Sequence, residues 1–148
     1  MKHSKRWLMV VLLVLAALPL SACSESTVGA ATKIQPALVE KIEGTEFNRL
    51  TLTEKAAERL DIQTDSVREE QMDGAQRKVI PYSAILYDLN GGTWVYTSPA
   101  PLIFVRESIT VDYIDGDMVI LTDGPPSGTT IVTVGAPELY GADTGVGK

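Results

Sequence analysis

The sequence predicts a mainly β fold: a small antiparallel β-barrel or roll with one short α-helix, preceded by a signal peptide and a flexible tether. Short runs in which apolar and polar residues alternate recur at close spacing between residues 47 and 143, as half-buried strands do. Turn-forming pairs such as Asn90-Gly91 and Asp115-Gly116 separate these runs, and the first pair is a strong signal for a tight hairpin. Only one stretch has helical spacing, so we expect β-structure to dominate.

The ordered part is expected to begin with a strand that leads directly into the helix. In "RLTL", residues 49–52, Leu50 and Leu52 alternate with polar neighbours, which predicts a half-buried strand. Thr51 stands three residues before Glu54, which is the spacing of a capping box at a helix N-terminus. The apolar face of the predicted helix consists of Ala56, Ala57 and Leu60.

A series of short strands is expected to follow the helix. The polar stretch "REEQMDGAQ", residues 68–76, is predicted to be a turn that joins two strands. Pro81 indicates an edge position or a bulge, because proline cannot donate a hydrogen bond to a neighbouring strand. Residues 135–140 are predicted to make a last turn before 141–148 run into solvent. The strands are predicted at residues 61–67, 78–88, 93–98, 102–114, 117–122 and 129–135, with a longer turn at 123–128.

The N-terminal residues have the features of a bacterial lipoprotein signal. A short cationic head precedes an apolar run at residues 7–20, which is typical of a secretory signal peptide. The run ends in "LSAC", which matches the lipobox: cleavage after Ala22 leaves Cys23 as the lipidated residue. An ordinary signal peptide followed by a free cysteine is the alternative. The predicted organisation is a signal peptide at 1–22, a lipidated N-terminus and linker at 23–46, a β domain at 47–143 and a flexible tail at 144–148. The alternative for the end of the linker is that Leu38, Val39 and Ile42 begin ordered structure.

Removal of the signal peptide changes both the charge and the chemistry of the chain. It takes three of the thirteen Lys and Arg residues and no Asp or Glu, so ten basic residues face nineteen acidic ones and the net charge becomes −9. An acidic surface repels nucleic acid, which we exclude as a partner. His3 is the only histidine and Cys23 the only cysteine. The mature domain therefore lacks the side chains of the common nucleophilic and metal sites, and we predict no catalytic, cofactor-binding or metal-binding residue.

Two motifs with apparent ligand-binding character fail on inspection. The terminal "GADTGVGK" resembles a phosphate-binding loop, but that loop requires a glycine where Ala142 stands and a Ser or Thr after the lysine. Four aspartates could suggest a calcium loop, but an EF-hand needs fixed offsets and flanking helices, so turn formation and solvated charge explain them better. These aspartates are Asp112, Asp115, Asp117 and Asp123. We assign a structural role to Met72 and Met118, and to the aromatic residues Trp94, Tyr96 and Phe104.

The β region resembles the membrane-proximal domain of periplasmic adaptor subunits, also called membrane fusion proteins, of resistance-nodulation-division efflux pumps. Upstream, "LTLTEKAAERLDIQTDSV" at residues 50–67 is similar to the strand, helix and strand that lead into that domain, with Asp61 in place of the usual glycine. The matching features are Val79–Ile85, Trp94–Tyr96, Phe104–Arg106, Gly116-Asp117, the turn at 123–128, the closing strand at 132–136 and Glu138-Leu139.

This resemblance implies an adaptor domain from which the barrel, lipoyl and α-helical hairpin domains are missing, so bridging two membranes is not expected. It carries over no catalytic residue and no cofactor. We expect a non-enzymatic lipoprotein of the cell envelope, facing the periplasm or the cell exterior, that docks on a transporter of this efflux class or on another envelope protein. Its membrane contact is expected to be the lipid on Cys23. An extracytoplasmic lipoprotein that binds a small molecule or an ion is the alternative, and a carboxylate-based hydrolase is a third, weaker hypothesis.

Overall fold

The computed structural model describes residues 35–72 and 74–145, and these residues form a mainly β domain. Its helices are α1 (Glu54–Arg59), a 3-10 turn (Tyr82–Ala84) and α2 (Ala136–Thr144). Its strands are β1 (Ala37–Lys41), β2 (Asn48–Leu52), β3 (Gln63–Ser66), β4 (Arg68–Met72), β5 (Ala75–Pro81), β6 (Leu86–Tyr87), β7 (Thr93–Ala100), β8 (Ile103–Ser108), β9 (Thr110–Asp115), β10 (Met118–Asp123) and β11 (Thr130–Val134).

The strands form two antiparallel sheets. Sheet A has the order β1-β2-β8-β7-β11-β3, and the short strand β6 also pairs with β7. Sheet B has the order β4-β5-β10-β9. The predicted class, mainly β with antiparallel strands, is confirmed, but the strands of the described chain form two open sheets rather than a closed barrel.

The chain passes from sheet A to sheet B at two buried residues. Val67 separates β3 of sheet A from β4 of sheet B, and its backbone N–H donates to the carbonyl of Thr129 (2.9 Å). Ile109 separates β8 from β9 in the same way, and its N–H donates to the carbonyl of Thr93 (3.0 Å). The single strand predicted over residues 102–114 is therefore two strands in different sheets.

Sheet A carries an apolar cluster on each face, so that the domain has three layers. One cluster lies between sheet A and the helices, and it combines strand residues such as Leu50 and Phe104 with Leu139 of α2. The other lies between the two sheets, where Val95 and Ile131 of sheet A pack with residues of sheet B such as Val119. Neighbouring residues of β7 belong to different clusters, and the same is true of β11, because successive side chains of a strand point to opposite faces.

Helix α1 begins and ends with recognisable capping motifs. Thr53 is the N-cap, and its hydroxyl accepts the backbone N–H of Ala56 (3.2 Å). The capping role predicted for Thr51 is wrong, since Thr51 belongs to β2 and pairs with its neighbours in the sheet. At the other end, Asp61 has a left-handed backbone (φ 48°). The N–H groups of Asp61 and Ile62 donate to the carbonyls of Glu58 and Ala57, respectively, which is a Schellman motif.

Three segments predicted to be irregular contain regular structure. Strand β1 lies within the region predicted to be a flexible linker, and it pairs with β2 along its whole length. The predicted turn at 68–76 is mostly strand, because β4 and β5 form a hairpin in which Gly74 has a positive φ. Helix α2 replaces the predicted last turn and the first residues of the predicted tail. In each case polar or small residues are ordered by pairing or packing rather than by their own propensity.

Candidate functional site

The most elaborate polar arrangement of the domain surrounds Arg106 on β8. We call it the Arg106 cluster, and it consists of Phe47, Asn48, Trp94, Tyr96, Arg106, Tyr140 and Asp143. These residues come from both ends of the described chain and from the middle strands of sheet A. The cluster lies where the C-terminal helix α2 meets the sheet.

The centre of the Arg106 cluster is the carboxylate of Asp143, whose side chain is 1% exposed. The Tyr96 hydroxyl donates to its Oδ2 (2.7 Å), and Nδ2 of Asn48 donates to its Oδ1 (2.7 Å). Nε of Arg106 lies 3.4 Å from the same Oδ2, yet this buried nitrogen makes no hydrogen bond within the described residues. A buried carboxylate is tolerated only when it is paired and hydrogen-bonded, and Asp143 has both kinds of partner.

Three aromatic rings enclose the guanidinium of Arg106. Its central carbon lies 5.0 Å from the ring centroid of Trp94, 5.4 Å from that of Tyr140 and 5.7 Å from that of Phe47. Each distance is within the range of a cation–π contact. Phe47 also meets Trp94 edge to face at 5.5 Å. The rings therefore cover a charged group whose side chain is only 15% exposed.

The protonation behaviour of Tyr96 indicates a structural role for this cluster. Burial, followed by the hydrogen bond to Asp143, raises the pKa of Tyr96 far above its usual value, so the hydroxyl stays a neutral donor. The carboxylate it serves is shielded from solvent and already accepts two hydrogen bonds. Neither group is placed to exchange protons with a substrate. The arrangement fixes α2 on sheet A.

A second feature is an exposed apolar patch at the turn between β6 and β7. Leu89 is fully exposed at this turn, while Tyr82 and Tyr87 are 47% and 54% exposed. We call these three residues the tip patch. Burial, followed by the neighbouring Tyr82 side chain, raises the pKa of Tyr87 above its usual value.

Asp88 holds the turn of the tip patch in one conformation. Its Oδ1 accepts the backbone N–H groups of Asn90 and Gly92 (2.8 Å each), and its Oδ2 accepts Nε1 of Trp94 (2.9 Å). The hydrogen bonds from Trp94 and Gly92 hold the pKa of Asp88 below its usual value. A hairpin forms around Asn90-Gly91, but its loop at residues 88–92 is longer than the predicted tight turn, and only Gly91 has a positive φ (83°).

Exposed aspartates border the tip patch on the side of sheet B. The backbone N–H of Tyr82 donates to the carbonyl of Asp117 (2.8 Å), and the preceding Pro81 pairs with Met118. The turn between β9 and β10 therefore lies beside Tyr82, and it carries the exposed side chains of Asp115 and Asp117. The patch has an apolar centre and an acidic border.

The aspartates considered for calcium do not converge in the structure. Asp112 lies 3.7 Å from Arg77 in an exposed ion pair, and Asp123 accepts the backbone N–H of Gly124. No group of three or more His, Cys, Asp or Glu residues in the described part could hold a metal ion.

Cys23 and Ala22, the predicted lipidation and cleavage positions, lie outside the described residues. Among the helices that are described, none has the length and apolarity needed to cross a membrane.

Neither the Arg106 cluster nor the tip patch was predicted as a site. Arg106 and Asp143 are far apart in the chain, and nothing in the local pattern of either residue connects them. Leu89 did carry a signal: it immediately precedes Asn90-Gly91, where a hairpin turn usually has polar residues.

No protein-family model matches the chain, and neither a curated protein nor a solved structure matches it. The resemblance to adaptor subunits therefore stays a prediction from the sequence.

Proposed function

We propose that this protein is a non-enzymatic, lipid-anchored protein of the cell envelope, and that its β domain docks on a membrane transporter or another envelope protein as an accessory of efflux. In this proposal Cys23 carries the lipid and the residues after it connect the lipid to the domain. The resemblance to the membrane-proximal domain of efflux adaptors supports the choice of a transporter as partner.

The tip patch is the observation that carries the docking function. Leu89 is fully exposed and Tyr82 and Tyr87 are about half exposed, and exposed apolar patches with a polar rim often mark protein–protein interaction sites. Tyrosine is also enriched among residues that dominate binding energy in protein interfaces. Asp88 fixes the turn before any partner arrives, and such preorganisation reduces the entropy lost on binding.

The anchor is tested separately from the docking. Cells that express the full chain are fed a labelled fatty acid, and the label is expected on the wild-type protein but not on a Cys23→Ala variant. The lipid supplies stable attachment when two or more acyl chains are present. An unlabelled wild-type protein would contradict the lipoprotein part of the proposal.

Docking is tested with a matched pair of leucine variants. Leu89 and Leu38 are both exposed, but Leu38 is on β1, away from the tip patch. We expect the wild-type lipoprotein and Leu38→Ser to co-purify from mild detergent with the same membrane protein, identified by mass spectrometry. Leu89→Ser is expected to lose at least about tenfold of that partner, since it removes about the burial energy of one leucine. Equal recovery with both variants would overturn the assignment of the docking surface.

A further inference from the structure

The start of the described chain and the tip patch lie at opposite ends of strand β7. The described chain begins beside the far end of this strand: the carbonyl of Pro36 accepts the N–H of Thr53, and the N–H of the adjacent Leu52 donates to the carbonyl of Leu102 in the β7–β8 turn. The tip patch lies at the other end, where Thr93 of β7 pairs with Tyr87. β7 has eight residues, so roughly 25 Å separates the two ends.

The length of chain before β1 limits where the domain can act. Thirteen residues separate Cys23 from Ala37, and a chain of this length cannot exceed about 50 Å even when fully extended. A membrane anchor at Cys23 would therefore keep Ala37 within about 50 Å of the membrane.

The charge beside the tip patch indicates what kind of surface it fits. Asp115 and Asp117 are exposed in the turn that contacts Tyr82. Carboxylates at the rim of an apolar contact favour a partner with positive charge in the matching places. They disfavour an anionic bilayer surface, and they also disfavour a second copy of this chain docking through the same acidic rim.

We propose that the tip patch docks into an apolar cleft rimmed by Lys or Arg on the extramembrane part of a protein. This inference rests on the proposed docking function and specifies the chemistry of the partner. Leu89 and the two tyrosines fill the cleft, while Asp115 and Asp117 meet the basic rim.

Site-specific photo-crosslinking in isolated membranes tests the occupant. A photoreactive amino acid replaces Leu89 in the full-length lipoprotein, and in a control protein it replaces Glu58, which is exposed on α1. We expect position 89, but not position 58, to form an adduct with a protein whose crosslinked peptide lies beside Lys or Arg. An adduct with lipid, an adduct with a second copy of the chain, or no adduct at position 89 would each overturn the proposal.

Charge reversal tests the acidic rim. The double variant Asp115→Lys with Asp117→Lys is compared with Asp123→Lys and Glu58→Lys combined, which makes the same change of charge away from the tip patch. Asp123 lies at the opposite end of β10 from Asp117. We expect the adduct at position 89 to fall about tenfold in the first variant and to change little in the second. Protease resistance of both proteins confirms that each is folded.

Ionic strength gives an independent readout of the same rim. We expect the wild-type adduct to decrease as salt is raised, because rim charges act through screened electrostatic attraction. If Leu89→Ser loses the partner but salt and charge reversal have no effect, docking stands and the basic-rim inference fails. If Leu89→Ser keeps the partner, the proposed docking surface itself fails.

Discussion

Asp143 fixes the C-terminal helix through partners that come from three different strands: Asn48 of β2, Tyr96 of β7 and Arg106 of β8. Each partner satisfies a different requirement of a buried carboxylate. Asn48 and Tyr96 supply neutral hydrogen-bond donors, and Arg106 supplies the compensating charge. Removing the carboxylate therefore affects more than one contact, because the charge of Arg106 stays behind in a site that is mostly closed to water.

Replacement of Asp143 by alanine is expected to lower the free energy of unfolding by about 3–5 kcal/mol, the usual cost of breaking a buried ion pair on one side. Urea denaturation measures the change. Glu138→Ala, an exposed acidic position on the same helix, is the control and is expected to cost less than about 1 kcal/mol. Equal effects of the two variants would show that the Arg106 cluster does not stabilise the fold.

Tyr96→Phe is expected to change the dependence of stability on alkaline pH. The folded protein raises the pKa of Tyr96 above its unfolded value of 10.0. Above pH 10 the unfolded chain therefore releases a proton that the folded chain keeps, and stability falls as pH rises. The phenylalanine variant lacks this contribution, so its stability should fall less steeply above pH 10. At neutral pH the free energy of unfolding of this variant should be lower by about 1–3 kcal/mol, because Oδ2 of Asp143 loses a hydrogen-bond donor.

Helix α1 shows what a local pattern can and cannot predict. Its existence follows from the apolar spacing of its residues, and it is confirmed. Its N-cap was misplaced because Thr51 and Thr53 both precede Glu54, and only pairing with the neighbouring strands assigns Thr51 to β2. Its C-terminus is formed by Asp61 in a left-handed conformation, at the position where the resemblance to adaptor domains predicts a glycine.

Asp61→Gly is expected to stabilise the protein. A left-handed backbone costs an L-residue roughly 1–2 kcal/mol, and glycine avoids this cost while losing about 0.5–1 kcal/mol in chain entropy. We expect a net gain of about 0.5–1 kcal/mol in the free energy of unfolding. Glu58→Gly, inside the same helix, should instead lower the free energy of unfolding by about 1 kcal/mol, because glycine is a poor helix former. Thermal denaturation of both variants checks the opposite signs, and a loss at both positions would contradict this account of the cap.

Helix α2 was not predictable from its own residues. Its sequence contains Pro137 and Gly141, which are poor helix formers, and its apolar spacing is weak. The helix forms because Leu139 is buried against sheet A and Asp143 is bound there. Strand β1 lies where the sequence favours a linker and allows ordered structure only as the alternative. It is short and partly exposed at the sheet edge, and pairing with β2 defines it.

At the scale of the whole molecule, the sequence predicts the class but not the division into two sheets. Alternation shows that residues 102–114 are extended, but it does not show that Ile109 transfers the chain to the other sheet. The same holds at Val67. Strand alternation reports which side chains share a face, whereas the choice of sheet depends on contacts between distant strands. The Arg106 cluster was not predictable for the same reason, since its members come together only in the complete fold.

Helix α2 contacts β1, β2 and β7, so the last described element closes over the first. The bond between Asn48 and Asp143 joins residues 95 positions apart. Contacts of such separation slow folding, because a long loop must close before they stabilise anything. Leu50 and Leu52 are therefore synthesised long before Leu139, which packs in the same cluster, exists. We expect the nascent chain to remain aggregation-prone and dependent on chaperones until residue 144 has been made.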